Sequence, residues 1–137
     1  VHAATGHGAW LVRGDQEPEP ARVSETAELS KALFCTTSVR GFEQTGRRET
    51  YDGLQSAARL TRGWGDCFGY TMVATGRADF MVDPVMNVWD AAALQPILEE
   101  AGGTFTDWNG NPTIHGGEGV AANPNILDQV LEFTRGK

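Results

Sequence analysis

From residue 32 to residue 134, short apolar runs alternate with stretches whose apolar side chains recur at helical spacing, and this restricts the chain to a sheet with helices packed on it. The expected class is therefore α/β. Residues 32–37 (Ala-Leu-Phe-Cys-Thr-Thr) are a compact apolar run ending in hydroxyls, as in a buried strand that delivers polar groups to a sheet edge. Residues 46–58 carry Tyr51, Leu54 and Ala58 on one helical face, and residues 59–62 read as a short strand. Residues 66–75 read as a mostly buried helix, with Asp66 as its N-cap and Gly76 as its stop. A strand over residues 78–82 follows, then a helix over residues 90–101 that ends at Gly102-Gly103 and loses a hydrogen bond or kinks at Pro96. Strands over residues 104–108 and 119–122, separated by an Asn109-Gly110 turn, and an amphipathic helix over residues 126–134 complete the pattern.

Ahead of this unit, residues 1–4 and 9–12 flank Thr5-Gly6-His7-Gly8, the punctuation of a hairpin. An isolated hairpin is marginal in water, so this one calls for more sheet around it. Residues 14–20 (Gly-Asp-Gln-Glu-Pro-Glu-Pro) form a polar, proline-bearing loop. The expected organisation is a hairpin and loop over residues 1–20 and an α/β unit over residues 21–137. Because the sequence opens on Val1, directly in a strand-like pattern, it reads as a truncated chain.

A formal charge of -7 repels a phosphate backbone, so nucleic acid is not an expected partner. Basic residues form no run longer than Arg47-Arg48, and no apolar stretch approaches membrane-spanning length. The expected setting is cytoplasmic. Cys35 and Cys67 both sit among apolar neighbours, which suggests buried thiols; neither a disulfide framework nor a Cys/His zinc pattern is present.

The strongest chemical signal lies in Asp83-Pro84-Val85-Met86-Asn87-Val88-Trp89-Asp90-Ala91-Ala92-Ala93. Asp90 is expected at the start of a helix, where backbone N–H groups are free and the dipole end is positive. Small alanines after it leave room for a ligand, Trp89 offers a wall, and Asp83 adds a carboxylate from the preceding strand end. The same residues also read as a plain helix cap and a turn before proline.

Trp89-Asp90-Ala91-Ala92-Ala93 with Glu100-Ala101-Gly102-Gly103 resembles the second signature of the inositol monophosphatase family, Trp-Asp-x-Ala-Ala followed by Glu-Ala-Gly-Gly. Arg62-Gly63-Trp64-Gly65-Asp66 and Ala74-Thr75-Gly76-Arg77-Ala78-Asp79 resemble a second family stretch, in family order. Trp64-Gly65-Asp66-Cys67 is similar to the bacterial histidinol-phosphate phosphatase branch. The resemblance implies the C-terminal lobe of the inositol monophosphatase fold, preceded by part of its N-terminal sheet. It also implies Mg²⁺-dependent hydrolysis of a small phosphorylated substrate, histidinol phosphate to histidinol in histidine biosynthesis, by a homodimeric enzyme. In that mechanism clustered Mg²⁺ ions bridge the phosphate and one activates the attacking water. Carried over by position, Asp90 is the catalytic metal-ligating aspartate, Asp83 contacts substrate hydroxyls, and Trp64, Gly65 and Asp66 form a substrate-contacting loop. A carboxylate at Asp66 beside Trp64 suits a cationic, aromatic substrate, although Asp66 as a helix cap remains an alternative.

The departure from the family pattern is as informative. The first signature, Asp-Pro-x-Asp-Gly-Thr, is absent; Asp83-Pro84-Val85-Met86 begins like it, but Met86 stands where the second aspartate belongs. One carboxylate cannot hold a cation that takes about six oxygens. By itself the chain is therefore expected to bind Mg²⁺ weakly and turn over slowly or not at all. Two rivals follow: an inositol monophosphatase or another sugar or nucleotide phosphatase of the family, and an inactive folding or dimerisation module. His2, His7 and His115 are not at ligand spacing, and the glycine-rich segments 6–8 and 116–119 lack the Lys-Ser/Thr ending of a phosphate loop.

Overall fold

The computed structural model describes residues 1–136. Its main sheet has five strands, β4 (Leu33–Cys35), β5 (Leu60–Arg62), β6 (Phe80–Asp83), β7 (Thr104–Thr106) and β8 (Gly119–Ala122), in the order β5-β4-β6-β8-β7. Strand β4 pairs in parallel with both β5 and β6, and β8 pairs antiparallel with β6 and β7. The carboxyl ends of β4, β5 and β6 therefore reach the same edge of the sheet. The α/β class expected from the alternation is the class observed.

Period-two alternation sorts the strand side chains onto two buried faces. Phe34, Phe80, Val82, Val120 and Ala122 face one cluster, with Phe42 of α1 (Val39–Gln44), Tyr51 and Leu54 of α2 (Arg48–Ala57) and Val130 and Leu131 of α6 (Leu127–Thr134). Leu33, Cys35, Met81 and Ala121 face the other, under Tyr70 and Val73 of α3 (Asp66–Ala74), Ala91 of α4 (Val88–Ala91), and Leu94 and Leu98 of α5 (Leu94–Glu100). Both faces being covered, the inner strands β4, β6 and β8 are apolar except for Asp83 at the end of β6, whereas the edge strands β5 and β7 carry polar residues.

Strands β1 (His2–Ala3), β2 (Ala9–Leu11) and β3 (Glu19–Pro20) form a small antiparallel sheet, β1-β2-β3, with Trp10 opposite both His2 and Pro20. The expected hairpin is present, and the end of the proline-bearing loop closes on it as a third strand; proline is tolerated there because β3 is an edge. This sheet rests on α5. Glu100 accepts hydrogen bonds from the N–H groups of Gly6 and Gly8, both at 2.7 Å, and Ala9 and Ala21 enter the cluster beneath α3 and α5.

Other expectations need correction. The helix placed at residues 90–101 begins earlier and is divided into α4 and α5, with Ala92 and Ala93 keeping helical angles between them. Pro96 removes one rung of the ladder beside this break. Having no N–H, it leaves the Ala92 carbonyl without its partner four residues on, so the lost bond appears at Ala92, while Pro96 itself sits in the first turn of α5. Asp90 is the third residue of α4, and Asn87, not Asp90, is the N-cap. Gly65, not Asp66, caps α3. Cys67 is exposed, whereas Cys35 is buried; burial, helped by nearby Asp79 and Asp83, pushes the Cys35 thiol up to about 12. Helix α1 lies in a stretch with no sequence expectation.

Phe34 stacks on Phe80 with centroids 5.0 Å apart and has no exposed surface. Phe34→Ala should cost about 3–5 kcal/mol in urea unfolding; a loss below about 1 kcal/mol would mean that this face is loosely packed.

Candidate active site

In open α/β sheets, ligands bind outside the carboxyl ends of the parallel strands. Here that edge opens into a cleft of about 200 Å³ lined by Thr37 after β4, Asp66, Cys67 and Tyr70 of α3, and Asp83 at the end of β6. Its far wall is Val85, Met86, Asp90 and Leu94. Three aspartates from two stretches of the sequence thus share one cavity.

Asp83 is the anchor. Alternation along β6 turns it to the face of α3, where it is 3% exposed. One carboxylate oxygen accepts from Thr36 Oγ1 at 3.0 Å and from the Thr37 N–H at 2.7 Å. The other accepts from Thr37 Oγ1 at 2.9 Å and from the Tyr70 hydroxyl at 3.1 Å. Burial nonetheless outweighs these four donors and raises the Asp83 carboxyl above its ordinary value. Burial, together with the adjacent Asp83 charge, pushes Tyr70 well above the usual phenol range, so Tyr70 stays a donor. Each Asp83 oxygen is engaged twice, and this side chain stitches β4, α3 and β6 together behind the cleft.

Asp66 is held by its backbone. Its N–H donates to Thr37 Oγ1 at 3.0 Å, and its φ of 52° makes it the one residue other than glycine with positive φ among those described. Aspartate is among the side chains that tolerate this region best. The chain passes close to the end of β4 just before Asp66: a Cβ on Gly65 would meet Thr37 Cγ2 at 3.0 Å and Thr37 Cα at 3.2 Å. One turn later, a Cβ on Gly69 would collide with the Trp64 carbonyl oxygen and with Met81 Sδ, so α3 sits hard against β6 only because position 69 is glycine. Asp66 itself is exposed to the cleft.

Asp90 is exposed and accepts from Asn87 Nδ2 at 3.2 Å. Of the five residues singled out in the sequence, Asp66, Asp83 and Asp90 line the cavity. Trp64 and Gly65 do not: Trp64 is partly buried against the core and meets Phe68 edge-on at 6.0 Å. Trp89 is 78% exposed and forms no wall of the cleft. Sequence reasoning gave no role to Tyr70, Met86 or Leu94. Tyr70 had a readable signal, since it lies four residues after Asp66 on the same helical face.

The chain belongs to the inositol monophosphatase family, whose model matches residues 1–135. Among its relatives, a histidinol-phosphatase of Streptomyces coelicolor is 37% identical over 96% of this chain and 49% of its own length. A histidinol-phosphatase of Mycobacterium tuberculosis is 38% identical over 94% of this chain and 50% of its own. A solved structure of a Thermotoga maritima IMPase superposes with a TM-score of 0.81 at 30% identity, covering 96% of this chain and 49% of that one. The chain spans about half the length of the curated relatives it matches.

The donors present do not fit a complete Mg²⁺ site. Among the described residues no group of three or more His, Cys, Asp or Glu side chains could hold a metal ion. Asp83 is occupied by its four donors, which leaves Asp66 and Asp90 as the carboxylates facing the cleft. A hard cation filling about six oxygen positions needs more than these.

Asp83 also gives a pH signature. A carboxyl whose folded pKa is raised contributes stability that is fully present below the unfolded value and is lost as pH rises through the folded value. Wild-type stability should therefore fall relative to Asp83→Asn as pH rises from about 4, with the difference levelling off once Asp83 is fully ionised. Denaturant titrations over a pH series check this, and curves that stay parallel would rule it out.

Proposed function

We propose that the protein is a phosphomonoesterase acting on histidinol phosphate in a Mg²⁺-dependent reaction, with Asp90 as a metal ligand and Asp66 as a substrate contact. The observation that carries the reading is the convergence of Asp66 and Asp90 on one cleft, with Asp66 in a backbone conformation that a non-glycine residue seldom adopts. Strain of this kind collects at functional sites. The kinship with two histidinol-phosphatases over almost the whole of this chain supports the substrate. A substrate with an amine and an imidazole suits the Asp66 carboxylate, since no Lys or Arg is among the described residues that line the cleft; inositol phosphate offers it only hydroxyls. Trp64 and Gly65 then act by shaping the turn that presents Asp66. Asp83 acts by fixing Thr37 and Tyr70 in the cleft wall.

In this reading the cation is held jointly by Asp90 and by ligands that residues 1–137 do not supply. A cytoplasmic, homodimeric enzyme of histidine biosynthesis is the setting that goes with it. A second reading, a folding or dimerisation module without turnover, is favoured by the incomplete donor set among the described residues.

The two readings separate by assay of this chain alone and within a full-length parent, with Mg²⁺ or EDTA, on histidinol phosphate and inositol 1-phosphate. We expect the parent to prefer histidinol phosphate and to stop in EDTA, while the chain alone is slow or silent. Equal rates on both substrates would remove the role of Asp66, and a parent silent on both would leave the module. Asp90→Asn in the parent should lower turnover by orders of magnitude with little change in melting temperature; near-normal turnover would exclude Asp90 as a ligand.

A further inference from the structure

The segment between Asp83 and Asp90 crosses the far wall of the cleft, yet residues 84–87 belong to no helix or strand. Its conformation is set from outside. The Trp108 indole donates from Nε1 to the Asp83 carbonyl at 3.1 Å, and the Met86 N–H donates to the Gly117 carbonyl at 2.7 Å. Between these two points, Arg47 Nη1 donates to the Pro84 carbonyl at 3.1 Å. The guanidinium carbon lies 4.4 Å from the centroid of the Trp108 ring, and Glu118 approaches Nη1 at 3.8 Å. Arg47 is also mostly enclosed, its side chain being 23% exposed. Pro84 is closed in from the other side by Gly41, where a Cβ would meet Pro84 Cγ at 3.3 Å.

We infer that Arg47 is a positioning residue: through the Pro84 carbonyl and the Trp108 ring it fixes the 84–87 segment, and so sets where Asp90 stands relative to Asp83 across the cleft. The physical reason lies in the planar fork. A guanidinium can stack on an aromatic face while its N–H groups point along the plane to a carbonyl and a carboxylate, which an ammonium cannot do at one time. Arg47 lies at the N-cap of α2, outside every motif that resembles a family signature, and it touches none of the cleft. Its catalytic consequence rests on the phosphatase reading above; its structural consequence does not.

The test uses Arg47→Met, which keeps an apolar stem over Trp108 but has no donor, and Arg47→Lys, which keeps one donor. Hydrogen exchange of the peptide spanning residues 84–91 should be roughly tenfold faster in Arg47→Met, with peptides of β6 and β8 unchanged and Arg47→Lys intermediate. Unaltered exchange of 84–91 in Arg47→Met would overturn the inference. So would acceleration of 84–91 no greater than that of the sheet, since that is general loosening. In the parent enzyme with Mg²⁺ and histidinol phosphate, Arg47→Met should lower kcat by up to about a hundredfold, with KM within about threefold of the original. A proportionate rise in KM at constant kcat would count against it. If the parent itself shows no turnover, the phosphatase reading fails and the exchange data alone decide this one.

Discussion

A carboxylate with four donors and little water around it holds this molecule's working edge together. Asp83 is the last residue of β6, and the groups that bind it come from the end of β4 and from α3. Burying a carboxyl is costly unless donors surround it, and here the donors are the very residues that must be fixed if the cleft is to have a shape. Thr37 shows the coupling best. Its hydroxyl donates to Asp83 and accepts from the Asp66 N–H, so the strained turn at the head of α3 is tied to the end of β6 through one oxygen. The cleft is a by-product of this knot: three parallel strand ends stop together, and the chain leaves each in a different direction.

Much of the fold could be read from the sequence because both faces of the main sheet are covered. Apolar runs at residues 32–35 and 80–82 admit few interpretations, and the helical faces of α2 and α6 carry their own periodicity. The misreadings have local physical causes. Ala91, Leu94 and Leu98 are buried at helical spacing across the α4–α5 junction, so the pattern shows one helix while the hydrogen-bond ladder is interrupted at Ala92. Strand β3 is two residues long and gains its place by pairing with β2, which no local propensity records.

The candidate site was legible in a different way. Asp66, Asp83 and Asp90 stood out through family resemblance, and the fold brings all three to one cavity. Their individual surroundings were not legible. That Asp83 is saturated depends on Tyr70, thirteen positions earlier, and on Thr36 and Thr37, nearly fifty earlier. Trp64 stood out as a ligand contact because of its motif, and that its ring packs against the core and Phe68, outside the cleft lining, was not readable there. Non-local packing decides such roles.

The exposed indole at position 89 has a practical meaning of its own. Trp108 is sealed in the core and Trp89 lies almost wholly in water, immediately before Asp90. Their emission maxima must differ, the solvated ring being red-shifted and open to a soluble quencher such as iodide. The chain therefore carries an intrinsic optical probe one residue from an exposed aspartate of the cleft, and the quencher-accessible part of its emission reports on that corner of the surface without any label.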